Sequence, residues 1–403
     1  MGIKNFTSTF KPTFEVGSFD EAVLHTLFPQ AKHKYLRLAI DGSTELIRFF
    51  KISDAKVNEH GHWVHHELLV LKQIKKRHSL NIREIWVFDP TILGLQRTAL
   101  KTEEVRIRKE SQRKQLEKFT NACKESQREQ LGKNTNACKE SQKNTSDNAL
   151  SILRQNELKR LETNSRVVTN SLFWRFIQNV LEPLQIPWIV APEHEEGEKV
   201  CAQLCSQGVV DVVLSGDTDV MPFGSPNLLF RLCSKKKRGY WAFFCKEDIL
   251  KQQKPIQSDF AKFVWACIGL KCDFCDKIPL VGPKSLEKAF LKPKCNINEH
   301  QNHPLCKKYT FLKDFVSATS CSDNQIVAFL KAFEYFLTKV RLNFDVVENM
   351  LQTSSSYCST EFQKNAEELL SKLSTHVVSF SSPYVFTEAL DNLDQFKFQT
   401  AKN

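Results

Sequence analysis

The chain of 403 residues lacks the features that direct a protein into or across a membrane. No apolar run reaches the ~18 residues that span a bilayer, and the opening MGIKNFTSTFKPTF has no hydrophobic centre of the kind that a signal peptide carries. Myristoylation after Met1 would favour Ser or Thr at position 6, where this chain has Phe6. We therefore expect neither a membrane protein nor a lipid-anchored one.

The cysteine pattern and the balance of charge indicate the cellular compartment and the kind of partner that the protein has. Thirteen cysteines, an odd number, are scattered in a chain long enough to fold without disulfide bonds, which indicates reduced thiols in an intracellular compartment. A 41% apolar content excludes disorder throughout. Lys and Arg exceed Asp and Glu, 57 to 46, which favours a polyanionic partner; DNA, RNA or a membrane surface would satisfy this equally.

Short apolar runs alternate with helical stretches and predict an α/β fold. The runs are residues 35–41, 84–89, 188–191 and 209–216. Three of them end at Asp or just before it, as expected where buried parallel strands deliver polar groups to their carboxyl edge. We therefore expect a functional site at that edge. Residues 228–233 and 240–245 flank a basic turn and predict a hairpin.

The composition changes abruptly over residues 97–164, where aromatic residues nearly vanish. A 15-residue unit occurs there as KESQRKQLEKFTNAC and KESQREQLGKNTNAC, followed by the fragment KESQKNT. With almost no apolar face, these repeats cannot form a solenoid and predict a mobile helical or disordered insertion. Its basic excess suits either transient phosphate contact or a solvated helix face. The predicted core therefore comprises residues 1–96 and 165–323, followed by a helical extension, residues 324–403.

Seven carboxylates are the candidate site: Asp41, Asp89, Glu196, Glu198, Asp217, Asp219 and Asp273. Taken singly, each Asp is more often a turn or cap residue. Asp217 and Asp219 would share a face if strand geometry continued through them. Glu196 and Glu198 would diverge by about 200° on a regular helix, so joint use requires an irregular helix start or ligation through water.

Carboxylates that converge in one cleft repel each other and tend to protonate unless cations neutralise them. Oxygen-only ligands select hard ions, chiefly Mg²⁺ or Mn²⁺. Two such ions roughly 4 Å apart can hold a phosphate, lower the pKa of a bound water and stabilise the departing oxygen. The acids together therefore predict phosphodiester hydrolysis.

Short motifs that occur in a fixed order suggest a family. They are MGIK, LAIDGS, VFD, IPWIVAP, SGDTD, and CDFC followed by IPLVGPK. With these motifs the chain resembles the flap endonuclease/XPG family of structure-specific 5′ nucleases over residues 1 to about 290, apart from the insertion. Its size and its MGIK opening look most like the compact members carried by large DNA viruses.

The resemblance implies a PIN-like, mainly parallel sheet flanked by helices. It also implies a helical arch at the insertion and a helix-two-turn-helix element near residues 273–295. The implied activity cuts DNA at junctions of 5′ single strand and duplex, in replication, repair or recombination. It uses two Mg²⁺ ions, with Mn²⁺ able to substitute. All seven acids match the family's catalytic, metal-binding set, although Glu193 and Glu195 rival the glutamate pair.

The resemblance also implies DNA contacts and partners. The candidate DNA-binding residues are Gly2, Arg97 and Arg106 at the base of the arch, and Gly282 and Lys284 in the helix-two-turn-helix element. No convincing sliding-clamp peptide ends the chain, so clamp contact is not evident. We expect a monomer. The expected location is the nucleus or, for a viral protein, the site of viral DNA replication.

Some residues depart from the family pattern. Leu280 stands where relatives have the first glycine of the turn, which weakens the prediction of a monovalent-cation site. Ile47 replaces an expected tyrosine, so stacking on the flanking base is lost or supplied elsewhere. Lys271 and Cys272 add bulk before the last aspartate.

Three alternatives stay open. The Glu196-Gly197-Glu198 string also resembles the glutamate motif of 5′ exoribonucleases. A nuclease-derived scaffold could bind DNA without cutting it, although seven retained acids weigh against that. Zinc ligands are superficially offered by Cys272, Cys275, Cys295, His300, His303 and Cys306, but the spacings are loose.

Overall fold

The computed structural model describes most of the predicted nuclease core and C-terminal extension. The described residues are 3, 6–16, 26–29, 35–52, 56–57, 64–96, 110, 114, 170–231, 241–252, 256, 258–275, 302–312, 322–353, 360–375 and 378–379. Almost all of the repeat-bearing insertion, the basic turn and the helix-two-turn-helix segment after Cys275 lie outside them. So do Gly2, Arg97, Arg106, Gly282 and Lys284, whose predicted DNA contacts stay predictions.

A seven-stranded sheet of order β1-β8-β7-β6-β2-β4-β5 forms the centre of the fold. The strands in chain order are β1 (Phe14–Val16), β2 (Leu36–Asp41), β3 (Lys56–Val57), β4 (Ile82–Phe88), β5 (Trp188–Val190), β6 (Val212–Ser215), β7 (Asn227–Arg231), β8 (Trp241–Cys245) and β9 (Val378–Ser379). The five strands from β7 to β5 along this order are parallel, and β8 and β1 join antiparallel. The predicted mainly parallel sheet and the predicted hairpin are confirmed. Strands β3 and β9 form a separate pair.

Helices cover both faces of the sheet. In chain order they are α1 (Phe6–Thr9), α2 (Gly42–Ile52), α3 (His65–Ser79), α4 (Asn170–Phe176), α5 (Gly197–Ser206), α6 (Lys246–Gln252), α7 (Phe260–Gly269), α8 (Pro304–Lys308), α9 (Asp323–Leu337), α10 (Phe344–Thr353) and α11 (Thr360–Thr375). A π-helical turn, Ile177–Leu181, continues α4. In the described part of the chain, no helix is both long and apolar enough to cross a bilayer.

Two hydrophobic cores lie on opposite faces of the sheet, because its central strands are buried on both sides. Side chains of α1, α5, α7 and α9 build one core, and side chains of α2, α3, α4 and α11 build the other. Alternate residues of β2 follow this division: Ala39 belongs to the first core, and Leu38 and Ile40 to the second.

The apolar stripe predicted after residue 324 becomes the buried face of α9. Phe329, Phe333 and Phe336 are buried in the first core, and Ala328 packs at its border. The helix begins with a capping box, in which the Ser322 hydroxyl accepts the Gln325 backbone N–H and the Gln325 side chain accepts the Ser322 N–H. Helix α9, the first part of the predicted extension, is therefore part of the folded core.

Candidate metal centre

Asp41 lies at the carboxyl end of β2, where α2 begins immediately. A Cβ at Gly42 would lie 2.7 Å from the Phe88 ring, so this sharp strand-to-helix turn requires glycine. Asp41 is 1% exposed, and its carboxylate accepts the Thr44 backbone N–H at 3.1 Å and the Ser215 hydroxyl at 2.8 Å. These bonds fix Asp41 between β2 and β6.

Asp89 follows β4, the neighbour of β2. Its backbone N–H donates to the Ser43 hydroxyl at 3.0 Å, and its Oδ1 accepts the N–H of Gly197 at 3.0 Å. A Cβ at Gly197 would lie 3.3 Å from that Oδ1, so the start of α5 approaches Asp89 as closely as a glycine allows. The helix start therefore orients this carboxylate with a backbone donor.

Asp41 and Asp89, the two carboxylates at the strand ends, are close enough for the charge of Asp89 to act on Asp41. Burial, followed by the charge of Asp89, raises the pKa of Asp41 from an ordinary 3.8 to about 7. The Cys201 thiol of α5 lies beside the same acids: burial and then Asp41, Glu198 and Asp89 raise its pKa well above its usual value. The edge of β2 and β4 is thus a buried, strongly acidic environment.

The glutamate pair lies across the start of α5. Glu196 is the N-cap residue in extended conformation, with φ −100° and ψ 146°, and Glu198 is the second residue of the helix. This is the irregular helix start that Glu196 and Glu198 require if both are to bind the same ion. Glu196 and Glu198 are buried, whereas Glu193 is exposed and Glu195 forms an ion pair with Lys199.

A tight turn after β6 brings Asp217 and Asp219 together. The strand ends at Ser215, so the extended geometry that would place both side chains on one face does not continue through them. Instead Asp217 caps the 3₁₀ turn Thr218–Val220, and its carboxylate accepts the Asp219 N–H at 3.0 Å. One carboxylate oxygen from each of Glu198, Asp217 and Asp219 lies within 4.8 Å of the other two.

Asp273 lies in a short loop at the margin of this group. Cys272 and Cys275 close the loop through an isolated antiparallel bridge, and Asp273 is half-buried between them. Burial and then Asp219 raise the pKa of the Cys272 thiol, which shows that the loop lies beside the Asp217–Asp219 turn. Cys272 is buried in the core. Lys271, which precedes it, is exposed and has a positive φ of 90°, which is unfavourable for a residue with a side chain.

Several residues at the site were not singled out from the sequence. Ser215 donates to Asp41 and accepts the Asp217 N–H at 2.9 Å, which links two acids through one hydroxyl. Thr218 accepts the backbone N–H of Ile3 at 2.9 Å, so Ile3 lies against the acidic turn. The sequence could have indicated Ser215, because this serine ends a strand two residues before an acid. No local pattern indicates Ile3, which is distant in the chain.

The donor set fits a hard divalent ion. The grouped ligand atoms are all carboxylate oxygens, which Mg²⁺ and Mn²⁺ prefer, and the site's buried acids need a counter-charge. The cysteine and histidine candidates for zinc that the structure describes, Cys272, Cys275, His303 and Cys306, form no such three-ligand group there.

The fold is a PIN-like α/β fold, and the carboxyl edge of its sheet carries a buried acidic group that fits a divalent metal ion. Residues 185–273, which include five of the seven acids, match the XPG I-region family. The chain is 32% identical to flap endonuclease 1 of Mycosarcoma maydis over 118 residues, 29% of this chain and 30% of that protein. It is 32% identical to a probable flap endonuclease 1 homolog of Danio rerio over 142 residues, 34% of this chain and 39% of that protein.

Solved structures agree on the fold. The catalytic core of Rad2 in complex with DNA substrate aligns with a TM-score of 0.50 and 19% identity, covering 92% of this chain and 100% of that one. The junction-resolving enzyme GEN-1 aligns with a TM-score of 0.52 and 16% identity, covering 92% and 73%. Over these segments the chain is similar to members of the flap endonuclease/XPG family. It spans only about 30% to 39% of the length of the two curated relatives above.

Proposed function

We propose that this protein is a Mg²⁺-dependent, structure-specific 5′ nuclease that hydrolyses DNA phosphodiesters at flaps, ends or junctions. The observation that carries the proposal is the close group of Glu198, Asp217 and Asp219 inside the matched XPG I-region. Asp41 and Asp89 lie at the adjoining strand ends, and the Ser215 and Gly197 hydrogen bonds join them to that group.

The acids divide naturally between two ions. Glu198, Asp217 and Asp219 would hold one ion, and Asp41 and Asp89 would contribute to a second, with Glu196 and Asp273 completing the set. Bound Mg²⁺ supplies an activated water and stabilises the charge that develops on the phosphate and on the leaving oxygen. Mn²⁺ would substitute, since it prefers the same ligands.

The chain's own residues hold these acids in place. Thr44 and Ser215 fix the Asp41 carboxylate, and Gly197 fixes Asp89, so little reorganisation is needed when cations arrive. Protons compete with cations at this site, because Asp41 has a pKa of about 7 without them. We expect cation affinity to rise with pH through that range.

We propose DNA with 5′ single-strand/duplex junctions as the substrate and a monomer as the active form. Two observations support the DNA substrate: the curated relatives are named flap endonucleases, and the Rad2 core was solved with DNA substrate. A GEN1 structure with a TM-score of 0.50 contains product DNA together with Mg²⁺ and Mn²⁺. These relatives do not favour the exoribonuclease or non-catalytic alternatives. Gly2, Arg97, Arg106, Gly282 and Lys284 are the proposed DNA contacts.

Cleavage of a labelled 5′-flap duplex in Mg²⁺ tests the proposal. Asp217→Ala should lower the cleavage rate by at least about a thousandfold, since metal-ion stabilisation of the transition state amounts to several kcal/mol. Binding of the same duplex should largely survive. The matched control is Asp323→Ala, which removes an exposed aspartate from the first turn of α9. Near wild-type cleavage by Asp217→Ala would contradict the site assignment.

A further inference from the structure

A buried lysine lies directly behind the acidic group. Lys199, the third residue of α5, is 0% exposed, and its ammonium donates to Glu195 at 2.8 Å and to the Thr338 hydroxyl at 3.1 Å. The same ammonium lies 3.9 Å from the centre of the Tyr335 ring. An ammonium is costly to bury unless its donors are satisfied, so this arrangement couples α5 firmly to the end of α9.

A second attachment lies one turn further along α5. The Gln203 side chain donates to the Thr338 carbonyl at 3.3 Å and accepts the Val340 backbone N–H at 2.8 Å. The Thr338 hydroxyl in turn donates to the Tyr335 carbonyl at 2.9 Å. Because Lys199 and Gln203 are four residues apart, they lie on one face of α5, and the structure fixes that face to residues 335–340.

Tyr335 extends the connection to the other acidic segments. Its ring lies 5.7 Å from the ring of Phe223, whose backbone N–H bonds the carbonyl of Asp219. It also lies 5.1 Å from the ring of Phe274, the neighbour of Asp273. One side chain of the C-terminal extension thus packs beneath the three segments that carry Glu196 and Glu198, Asp217 and Asp219, and Asp273.

We propose that Lys199, held by Tyr335 and Thr338, is a positioning residue that fixes the start of α5 and thereby sets Glu196 and Glu198 for divalent-ion binding. The inference rests on the proposed function and deepens it, since it makes the end of α9 a support of the metal centre. Lys199 does not touch the reacting atoms in this scheme. Its effect appears in ion affinity, because supports of metal ligands typically change that affinity by about 10- to 100-fold.

The test is a Mn²⁺ titration of the full-length protein without DNA, followed by electron paramagnetic resonance. Lys199→Met keeps the length of the side chain and removes its charge, and we expect it to bind Mn²⁺ roughly tenfold more weakly. Its flap cleavage should recover as Mg²⁺ is raised, which Asp217→Ala cannot do. Thr338→Val removes one acceptor of the ammonium and should weaken binding in the same direction; it decides the matter if Lys199→Met does not fold.

Two controls on α9 separate positioning from general stability. Phe329→Leu reduces a buried ring of the same helix and should lower the melting temperature while Mn²⁺ affinity stays as in the wild type. Lys331→Met repeats the lysine substitution at an exposed position and should change neither.

Wild-type Mn²⁺ affinity in a folded Lys199→Met, or equal weakening by Phe329→Leu, overturns the inference and leaves the nuclease proposal standing. A wild-type protein that neither binds Mn²⁺ nor cuts the flap overturns both.

Discussion

Replacing Asp41 by Asn should stabilise the metal-free protein at alkaline pH while it abolishes cleavage. Asp41 has an ordinary pKa of 3.8 when unfolded and a pKa of about 7 when folded, because it is buried and next to Asp89. Between these values the folded state keeps a proton that the unfolded state releases, so stability falls as pH rises. About three pKa units correspond to about 4 kcal/mol of lost stability by pH 8.

The asparagine avoids that loss but gives up one hydrogen bond. Its side-chain carbonyl can still accept the Thr44 N–H, whereas the Ser215 hydroxyl no longer has a carboxylate to donate to. That loss costs about 1 kcal/mol, which leaves a net stabilisation of about 3 kcal/mol at pH 8. Near pH 4, close to the pKa of the unfolded carboxyl, the wild type has lost little stability, so the variant should have no advantage there.

Urea unfolding with a chelator at pH 5, 6, 7 and 8 measures this difference. Buried Glu67, whose pKa burial also raises to about 7, gives both proteins the same additional slope, so it cancels in the comparison. Asp211→Asn is the control, because Asp211 forms a two-bond ion pair with Arg37 and its loss should destabilise the protein. Saturating Mg²⁺ should remove the advantage of Asp41→Asn. A stability difference that does not vary with pH would refute the reasoning.

Further predictions concern the supports of the site and of the fold. Gly197→Ala places a methyl group 3.3 Å from Asp89 Oδ1, so cleavage should fall by about tenfold with stability within about 1 kcal/mol of wild type. Gly208→Ala, at φ +74° just beyond the other end of α5, has open space and should instead cost about 1–2 kcal/mol with cleavage unchanged; the opposite pattern in rate and melting assays would contradict both. Phe362→Ala should cost about 3 kcal/mol of unfolding free energy in a urea titration, since this buried ring stacks on the His78 ring of α3 with 3.9 Å between the ring centres. Thr218→Val should cost about 1–3 kcal/mol by the same assay, because the Ile3 N–H loses its acceptor.

Local patterns predicted the elements that carry the acids. Apolar runs that end in Asp placed β2 and β4 correctly, since buried parallel strands share one carboxyl edge. The hairpin β7–β8 and the apolar face of α9 also followed from residue spacing. These predictions succeeded because each depends on contacts between residues that are near in sequence or aligned by the sheet.

The remaining features depend on contacts between distant residues. Lys199 looks like an ordinary surface lysine in the sequence, and only its enclosure by Tyr335 and Thr338 reveals its place in the core. Likewise, the pairing of β3 with β9 joins segments more than three hundred residues apart. The 3₁₀ turn that brings Asp217 and Asp219 together was also not predicted, because it depends on the bond that the Asp217 carboxylate accepts from the Asp219 N–H.

The order of strands has a consequence for the integrity of the chain. Strands from before residue 97 and strands from after residue 169 are interleaved in blocks in the sheet, and the blocks meet at β1–β8, β2–β6 and β4–β5. A single proteolytic cut between residues 97 and 169 would therefore produce two fragments that stay joined by three strand pairings in the sheet and by the separate β3–β9 pair. Each fragment carries part of the acidic set, Asp41 and Asp89 in one and the other five acids in the other. Neither fragment could act alone, and co-expressing the two would be the way to rebuild the centre from separate polypeptides.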